Sequence, residues 1–83
     1  MYDLFVLPEA RKDLDNLESP DLDRVVRKIR HLSQDPRSRG ALKLTAEEGY
    51  RIRIGDYRVL YRIQDDLKRV FIYRVKHRKD AYR

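Results

Sequence analysis

Three arginines, Arg51, Arg53 and Arg58, are the residues whose type and spacing indicate chemistry most strongly. They flank the dipeptide Gly55-Asp56, within a stretch where basic and apolar residues alternate. A Gly-Asp turn between alternating segments is typical of a two-residue β-hairpin. With Gly55 and Asp56 as the loop, Arg53 faces Arg58 across the hairpin. The period of two then places all three arginines on one face of the sheet, which we call the arginine face.

The opposite face of this hairpin is predicted to be apolar and to carry Ile52, Ile54, Tyr57 and Val59. Like charges directly opposite each other on paired strands are unfavourable, so stability alone does not explain three arginines on one sheet face. The forked guanidinium donors suit phosphate, which makes a bound anion one interpretation. The other is a solvated basic surface without a ligand.

The positive charge is concentrated in the C-terminal part of the chain. Residues 1–50 carry 9 Lys/Arg and 10 Asp/Glu, whereas residues 51–83 carry 11 and 4. This asymmetry favours nucleic acid or another polyanion as the partner, and a membrane surface is disfavoured. The chain has no cysteine and no apolar run long enough to span a bilayer, which fits a cytoplasmic location.

The 83 residues are predicted to form a single α+β domain, residues 1–83, with the element order β-α-α-β-β-β. A strand over residues 2–7 leads into a helix that begins at Pro8, and a second helix ends before Asp35-Pro36. The expected architecture is an antiparallel sheet covered on one face by a helical hairpin. The last strand is expected inside this sheet. Residues 37–49 are predicted to form a loop from which Leu42 and Leu44 enter the core.

The arginine face has the means to bind RNA and some of the means to cleave it. Arg62 extends the face along the second hairpin strand, and Arg78 and Tyr82 follow the last strand. Cleavage without a metal uses the ribose 2′-OH as nucleophile and needs charge stabilisation, a proton acceptor and a proton donor. Guanidinium groups stabilise charge well but accept protons badly. No metal or other cofactor is expected, because the two histidines lie far apart and no acidic cluster accompanies them.

The identity of the proton acceptor stays open at the level of the residues. His77 lies beside Arg78 and is a candidate proton shuttle and RNA-phosphate contact; the alternative is a surface histidine at a strand end. Glu47 and Glu48 are alternatives, or merely exposed loop acids. Tyr82 either stacks on a base or packs back onto the core.

Three segments resemble the RelE family of the RelE/ParE toxin superfamily. They are residues 42–44 (Leu-Lys-Leu), the hairpin 49–61, and the terminal segment 77–82 with its His-Arg-Lys-Asp-Ala-Tyr sequence. The length and the order of the elements are similar to the family as well. The resemblance implies a small RelE-like sandwich fold and the toxin component of a type II toxin–antitoxin pair.

The resemblance also implies an activity. RelE-like toxins are endoribonucleases that enter the ribosomal A site and cleave mRNA there without a metal, which inhibits translation. Carried over to this sequence, Arg51 binds substrate or rRNA phosphate, and Arg53 stands where the family can have a lysine proposed as general base. Arg58 stabilises the transition state, Arg78 assists the leaving oxygen, and Tyr82 stacks on a base. Arginine at position 53 departs from that pattern and puts its role as a base in doubt, so that His77, Glu47, Glu48 or a ribosomal group would take the proton instead.

The resemblance further implies partners and an alternative. A cognate antitoxin would cover the basic face, and operator DNA would be bound only by the toxin–antitoxin complex. The same superfamily includes ParE-like inhibitors of DNA gyrase, which use the fold as a binding module. A non-catalytic basic RNA-binding domain is a third reading of the same residues.

Overall fold

The computed structural model of the chain describes residues 1–45 and 47–80. It contains two helices and five strands, in the order β1 (Asp3–Val6), α1 (Pro8–Asp15), α2 (Asp21–His31), β2 (Leu42–Lys43), β3 (Tyr50–Ile54), β4 (Tyr57–Gln64) and β5 (Arg69–His77). Helix α1 begins at Pro8, as predicted, because a proline at the first helical position lacks only an amide that the helix would leave unpaired.

The strands form one sheet in the order β1-β5-β4-β3-β2, which confirms the α+β class and the interior position of the last strand. Two details of the prediction were wrong. The sheet is mixed rather than antiparallel, because β1 pairs parallel to β5 with Phe5 opposite Phe71. The predicted loop also contains the short strand β2, which pairs antiparallel to β3 and extends the sheet beyond the hairpin.

Both helices cover the same face of the sheet, α1 over β5 and α2 over β3 and β4. The apolar spacing of α2 turns Val25 and Ile29 inward, and Leu32 follows them into the same core. Their partners on the sheet are buried as well: Ile52, Val59, Tyr61, Val70, Ile72 and Val75. The other face of the sheet has no helix over it among the described residues.

The hairpin forms in the predicted register. Arg53 lies opposite Arg58, and Ile54 lies opposite Tyr57. Gly55 opens the turn with φ of +57°, a backbone conformation that is strained for residues other than glycine. Because side chains alternate along each strand, this register sends the apolar residues to the helices and the arginines to the open face.

Strand β5 carries an irregularity that the sequence pattern does not reveal. The pairing of β4 with β5 runs from Gln64–Arg69 to Tyr61–Ile72, and then resumes at Leu60–Arg74, so Tyr73 is an extra residue. One extra residue reverses which face every later side chain occupies. Val75 therefore stays with the core, His77 follows it, and Lys76 turns to the open face.

Asp13 of α1 holds the strand just after this bulge. Its Oδ2 accepts hydrogen bonds from the backbone amide of Val75 at 2.8 Å and from Nε of Arg74 at 2.9 Å. The hydrogen bond between Arg74 and Asp13 raises the pKa of the Arg74 guanidinium above its ordinary value. A carboxylate on the covering helix thus fixes the course of β5 where it changes register.

We expect Asp13→Ala to lower the free energy of unfolding by about 1–3 kcal/mol, because it leaves an amide and a partly buried guanidinium without their acceptor. Urea unfolding followed by circular dichroism measures this loss. Asp15→Ala is the matched control, since Asp15 lies on the same helix and is exposed. Equal, small losses in the two variants would show that Asp13 does not hold the bulge.

A second polar cluster ties the segment after α2 to the turn between β4 and β5. Arg37 donates to both carboxylate oxygens of Asp65, at 3.0 and 2.9 Å, and Tyr2 donates to Asp65 Oδ1 at 2.7 Å. Arg37 also donates to the Tyr50 hydroxyl at 3.1 Å. Hydrogen bonds from Arg37 and then from Tyr2 lower the pKa of Asp65 to about 2.

This cluster predicts a loss of stability in acid. The pKa of Asp65 is depressed in the folded state, so its contribution is present above pH 3.8, the ordinary value, and is lost as the pH falls toward 2. In Asp65→Asn, the unfolding midpoint in urea should depend less on pH between 4 and 2 than in the wild type. Asp15→Asn should keep the wild-type pH dependence of the midpoint. If the midpoint of Asp65→Asn changes with pH as steeply as that of the wild type, Asp65 is not the group responsible.

Candidate nucleic-acid interface

The arginine face lies on the open side of the sheet, away from both helices. Arg51 and Arg53 project from β3 and Arg58 from β4, with Arg53 and Arg58 paired across the hairpin. Arg51 and Arg58 are half-buried, whereas Arg53 is exposed and donates from Nε to the Gly55 carbonyl at 3.1 Å. The strands therefore fix the spacing of three guanidinium groups, as the alternation predicted.

Two shallow depressions meet on this face. One, of about 140 Å³, is lined by Gly40, Leu42, Arg51, Arg53 and Arg58. The other, of about 160 Å³, is lined by Leu44, Arg51, Arg58, Leu60 and Lys76. Arg51 and Arg58 line both. In the part of the chain that the structure describes, no acidic side chain lines either depression, so both are suited to an anion.

The segment around β2 forms the rim of these depressions. The prediction that Leu42 and Leu44 enter the core was wrong. Leu42 is 55% exposed and lines the first depression, and Leu44 lines the second. The pairing of β2 with the outer edge of β3 explains this, because it places the segment beside the arginines and away from the helices. The amide of Leu44 closes the segment by donating to the Gly49 carbonyl at 3.0 Å.

Lys76 is a member of the arginine face that the sequence did not reveal. It lies opposite Arg58 on the neighbouring strand and lines the second depression. Simple alternation counted forward along β5 from the core residues Val70 and Ile72 would place Lys76 under the helices. The bulge at Tyr73 reverses that assignment.

His77 lies on the other side of the sheet, which corrects its predicted place beside the arginines. Its register partner is Tyr57, and the two rings meet edge to face with 5.1 Å between their centroids. Nδ1 of His77 accepts a hydrogen bond from the Lys79 amide at 3.1 Å. The imidazole shares a depression with Asp13 and Leu17, so the sheet separates it from the arginine face.

The other predicted residues lie at the margins of the arginine face or outside the described chain. Arg62 is on the same face, two residues beyond Leu60 on β4, with its guanidinium 5.0 Å from the centroid of the Tyr73 ring. The amide of Arg78 donates to the Asp56 carbonyl at 2.6 Å, which places Arg78 beside the hairpin turn. Tyr82 falls outside the described residues, and its role stays a prediction.

The two acidic candidates lie apart from the depressions. Glu47 and Glu48 are exposed and precede β3. Burial, and after it the charge of Glu47, raises the pKa of the Tyr73 hydroxyl. Within residues 1–45 and 47–80, no three His, Asp or Glu side chains gather in a way that could hold a metal ion. None of the described helices has the length and apolarity to cross a membrane.

The sequence matches a known toxin family over nearly its whole length. Residues 4–82 match the family model of the ParE toxin of type II toxin–antitoxin systems (parDE). The chain is 41% identical over 76 residues to toxin RelG of Mycobacterium tuberculosis, an alignment that covers 89% of this chain and 87% of RelG.

Solved toxin structures have the same fold. The chain is similar to one in the toxin–antitoxin complex RelBE2 of Mycobacterium tuberculosis, with a TM-score of 0.83, 38% identity, and coverage of 93% of this chain and 98% of that one. It is also similar to a chain in the RelE–RelB complex of Pyrococcus horikoshii, with a TM-score of 0.79, 28% identity, and coverage of 93% and 94%.

A chain in the Escherichia coli RelBE toxin–antitoxin complex shows the same likeness, with a TM-score of 0.80, 25% identity, and coverage of 93% of this chain and 96% of that one. The family model, the curated relative and the solved structures thus all agree with the family resemblance seen in the sequence. The chain belongs to the RelE/ParE superfamily and is a toxin of a type II toxin–antitoxin system.

Proposed function

We propose that this toxin is a ribosome-dependent endoribonuclease that cleaves mRNA in the ribosomal A site and thereby inhibits translation. The observation that supports the proposal is the arginine face, where three guanidinium groups and Lys76 line two adjoining depressions without a carboxylate among the described residues. A surface of this kind binds a phosphodiester and favours the additional negative charge of its transition state.

The proposed reaction needs no metal. The ribose 2′ oxygen forms a bond to the adjacent phosphorus, and the bond from phosphorus to the 5′ oxygen breaks, which leaves a 2′,3′-cyclic phosphate and a 5′-hydroxyl. Arg51 holds a phosphate, and Arg58, which lines both depressions, stabilises the pentavalent charge. Arg53, oriented by the Gly55 carbonyl, adds a second guanidinium to this charge.

The residues at the margins are assigned positioning roles in the same proposal. Arg78, beside the hairpin turn, assists the leaving 5′ oxygen, and Tyr82 stacks on a base. Arg62 lengthens the basic track for the RNA backbone. The ribosome supplies the in-line pose of the mRNA and surrounds the toxin with rRNA phosphate, which a chain of net charge +6 attracts. Because ribosomes and mRNA lie in the cytoplasm, we infer that the toxin acts there.

We further propose a cognate antitoxin as the regulatory partner. The similar toxin chains from Mycobacterium tuberculosis, Pyrococcus horikoshii and Escherichia coli come from toxin–antitoxin complexes. An antitoxin segment with acidic side chains would complement the arginine face and exclude RNA from it. In this scheme, operator DNA is bound by the toxin–antitoxin complex and not by the free toxin.

A ParE-like inhibitor of DNA gyrase is the second candidate, because the matching family model describes a ParE toxin. Such a toxin would use the fold as a binding module, since fold alone does not fix function. The arginine face favours the nuclease, because inhibition by binding does not require three guanidinium groups that line adjoining depressions on one sheet face. A non-catalytic RNA-binding domain would keep the basic face but cut no RNA.

Pulse labelling of cells separates these candidates. Translation and DNA synthesis are measured side by side within minutes of inducing the toxin from a tightly controlled promoter. The nuclease proposal predicts an early collapse of amino-acid incorporation while thymidine incorporation continues. Early loss of DNA synthesis with translation intact would support the gyrase inhibitor and overturn the proposal.

A further inference from the structure

We propose that Lys76 is the proton acceptor of this site and takes the proton from the attacking 2′-hydroxyl. The inference rests on the proposed nuclease function and names a residue for the step that the arginines cannot perform. It follows from the place of Lys76 on the open face of the sheet, next to Arg58.

The position of Lys76 is fixed by β5 and not by a mobile loop. Lys76 pairs with Arg58 across the β4–β5 ladder, and its side chain shares the second depression with Arg51 and Arg58. The bulge at Tyr73 creates this placement, and Asp13 accepts from the amide of Val75, the residue just before Lys76. Lys76 is therefore held beside the guanidinium groups that would bind the scissile phosphate.

The chemistry of the described side chains favours Lys76 over its neighbours as a base. A guanidinium keeps its proton in proteins, whereas an amine can release its proton and serve as general base. His77 lies on the opposite face of the sheet, with its ring against Tyr57. Glu47 and Glu48 are exposed and line neither depression. Tyr82, outside the described residues, is tested separately below.

The groups around Lys76 suit a proton transfer next to an anion. Arg51 from β3 and Arg58 from β4 face it as charged groups, and Leu44 and Leu60 complete the depression. On the other side of β5, strand β1 ends at Val6, opposite Ile72, before it reaches the level of Lys76. The helices lie across the sheet. None of the described residues that line this depression carries a carboxylate.

The proposed step is balanced in protons and bonds. The neutral Nζ of Lys76 takes the 2′-hydroxyl proton as the 2′ oxygen bonds to phosphorus. The bond from phosphorus to the 5′ oxygen breaks, and the leaving oxygen takes a proton from water. The ammonium of Lys76 then returns its proton to solvent. Arg51 and Arg58 keep their charge throughout and hold the phosphoryl oxygens.

The test compares Lys76→Arg with the wild type in single-turnover cleavage of mRNA on purified, programmed ribosomes at saturating toxin. Lys76→Arg keeps the positive charge and loses the proton acceptor, so we expect the rate to fall about 100-fold or more. The wild-type rate should rise with pH from 6 to 9, and the rise should flatten in the variant. Lys12→Arg makes the same change at an exposed lysine of α1, away from the arginine face, and should cleave like the wild type.

Two further variants remove ambiguity. Lys76→Gln tests the same loss with a smaller neutral side chain, and circular dichroism and urea unfolding confirm that each variant is folded. If Lys76→Arg cleaves at the wild-type rate with the wild-type pH profile, Lys76 supplies charge only and the inference is overturned. It is equally overturned if Tyr82→Phe loses the pH dependence while Lys76→Arg keeps it.

The outcomes also separate this inference from the proposed function. If the wild-type toxin cleaves mRNA on ribosomes and Lys76→Arg cleaves it at the same rate, the nuclease assignment stands and Lys76 is not the base. A wild-type toxin that cuts no mRNA on any programmed ribosome rejects the nuclease assignment itself, and the role of Lys76 with it.

Discussion

Arg58→Ala is expected to reduce mRNA cleavage on the ribosome by about 100- to 1000-fold, the range found when one donor to a developing oxyanion is removed. Arg58 is the central cation of the arginine face. It lines both depressions, faces Arg53 across the hairpin and Lys76 across the next strand pair. Its loss therefore removes transition-state charge stabilisation that no single neighbour replaces.

The measurement is single-turnover cleavage on programmed ribosomes together with growth after induction in cells. Arg58 does not belong to the buried core, so the variant should unfold in urea near the wild-type midpoint. Arg11→Ala removes an exposed arginine from α1 and is the matched control. A folded Arg58→Ala protein that remains fully toxic would refute cleavage at this face.

Tyr61→Ala is expected to cost about 3–5 kcal/mol of unfolding free energy, the usual loss when a large aromatic core residue is truncated. Tyr61 is fully buried, stacks on Tyr50 with 5.9 Å between ring centroids, and donates from its hydroxyl to the Pro36 carbonyl at 2.6 Å. In a domain of 83 residues, whose core is small, a loss of that size approaches the whole stability.

Tyr61→Phe separates the ring from the hydroxyl. It keeps the packed ring and removes only the hydrogen bond to Pro36, so about 1–2 kcal/mol is expected from urea unfolding. Burial raises the pKa of the Tyr61 hydroxyl to about 12, so its contribution is complete below pH 10 and is lost as the pH rises toward 12. Tyr61→Phe should lack this alkaline loss. A Tyr61→Ala variant that loses less than Tyr61→Phe would contradict the packing account.

The hairpin was predictable because its information is local. The Gly55-Asp56 turn fixes the register, and the register with the period of two fixes both faces, so the pairing of Arg53 with Arg58 followed from counting. The same locality holds for Pro8 at the start of α1. Here turn chemistry and apolar pattern point to one answer, and tertiary contacts reinforce it.

The parts that could not be predicted depend on contacts between distant segments. The bulge at Tyr73 has no local signature, because it depends on how β5 meets both β4 and Asp13 of α1. It alone decides that Lys76 joins the arginines and that His77 does not. The parallel partner of β1 and the pairing of β2 at the sheet edge are likewise tertiary choices. The apolar character of Leu42 and Leu44 indicated burial in the core, whereas both residues line depressions on the open face of the sheet.

Mapping RNA ends on purified ribosomes programmed with a defined mRNA, with and without the toxin, decides between a nuclease and a binding protein. If the toxin is this nuclease, new 5′ ends form within the codon of the A site, with 5′-hydroxyls on one fragment and 2′,3′-cyclic phosphates on the other. The cuts persist in a metal chelator as long as the ribosomes stay assembled. The same mRNA stays intact without ribosomes. Intact mRNA on ribosomes whose A site is open to the toxin would overturn the nuclease proposal, and the arginine face would then be a binding surface only.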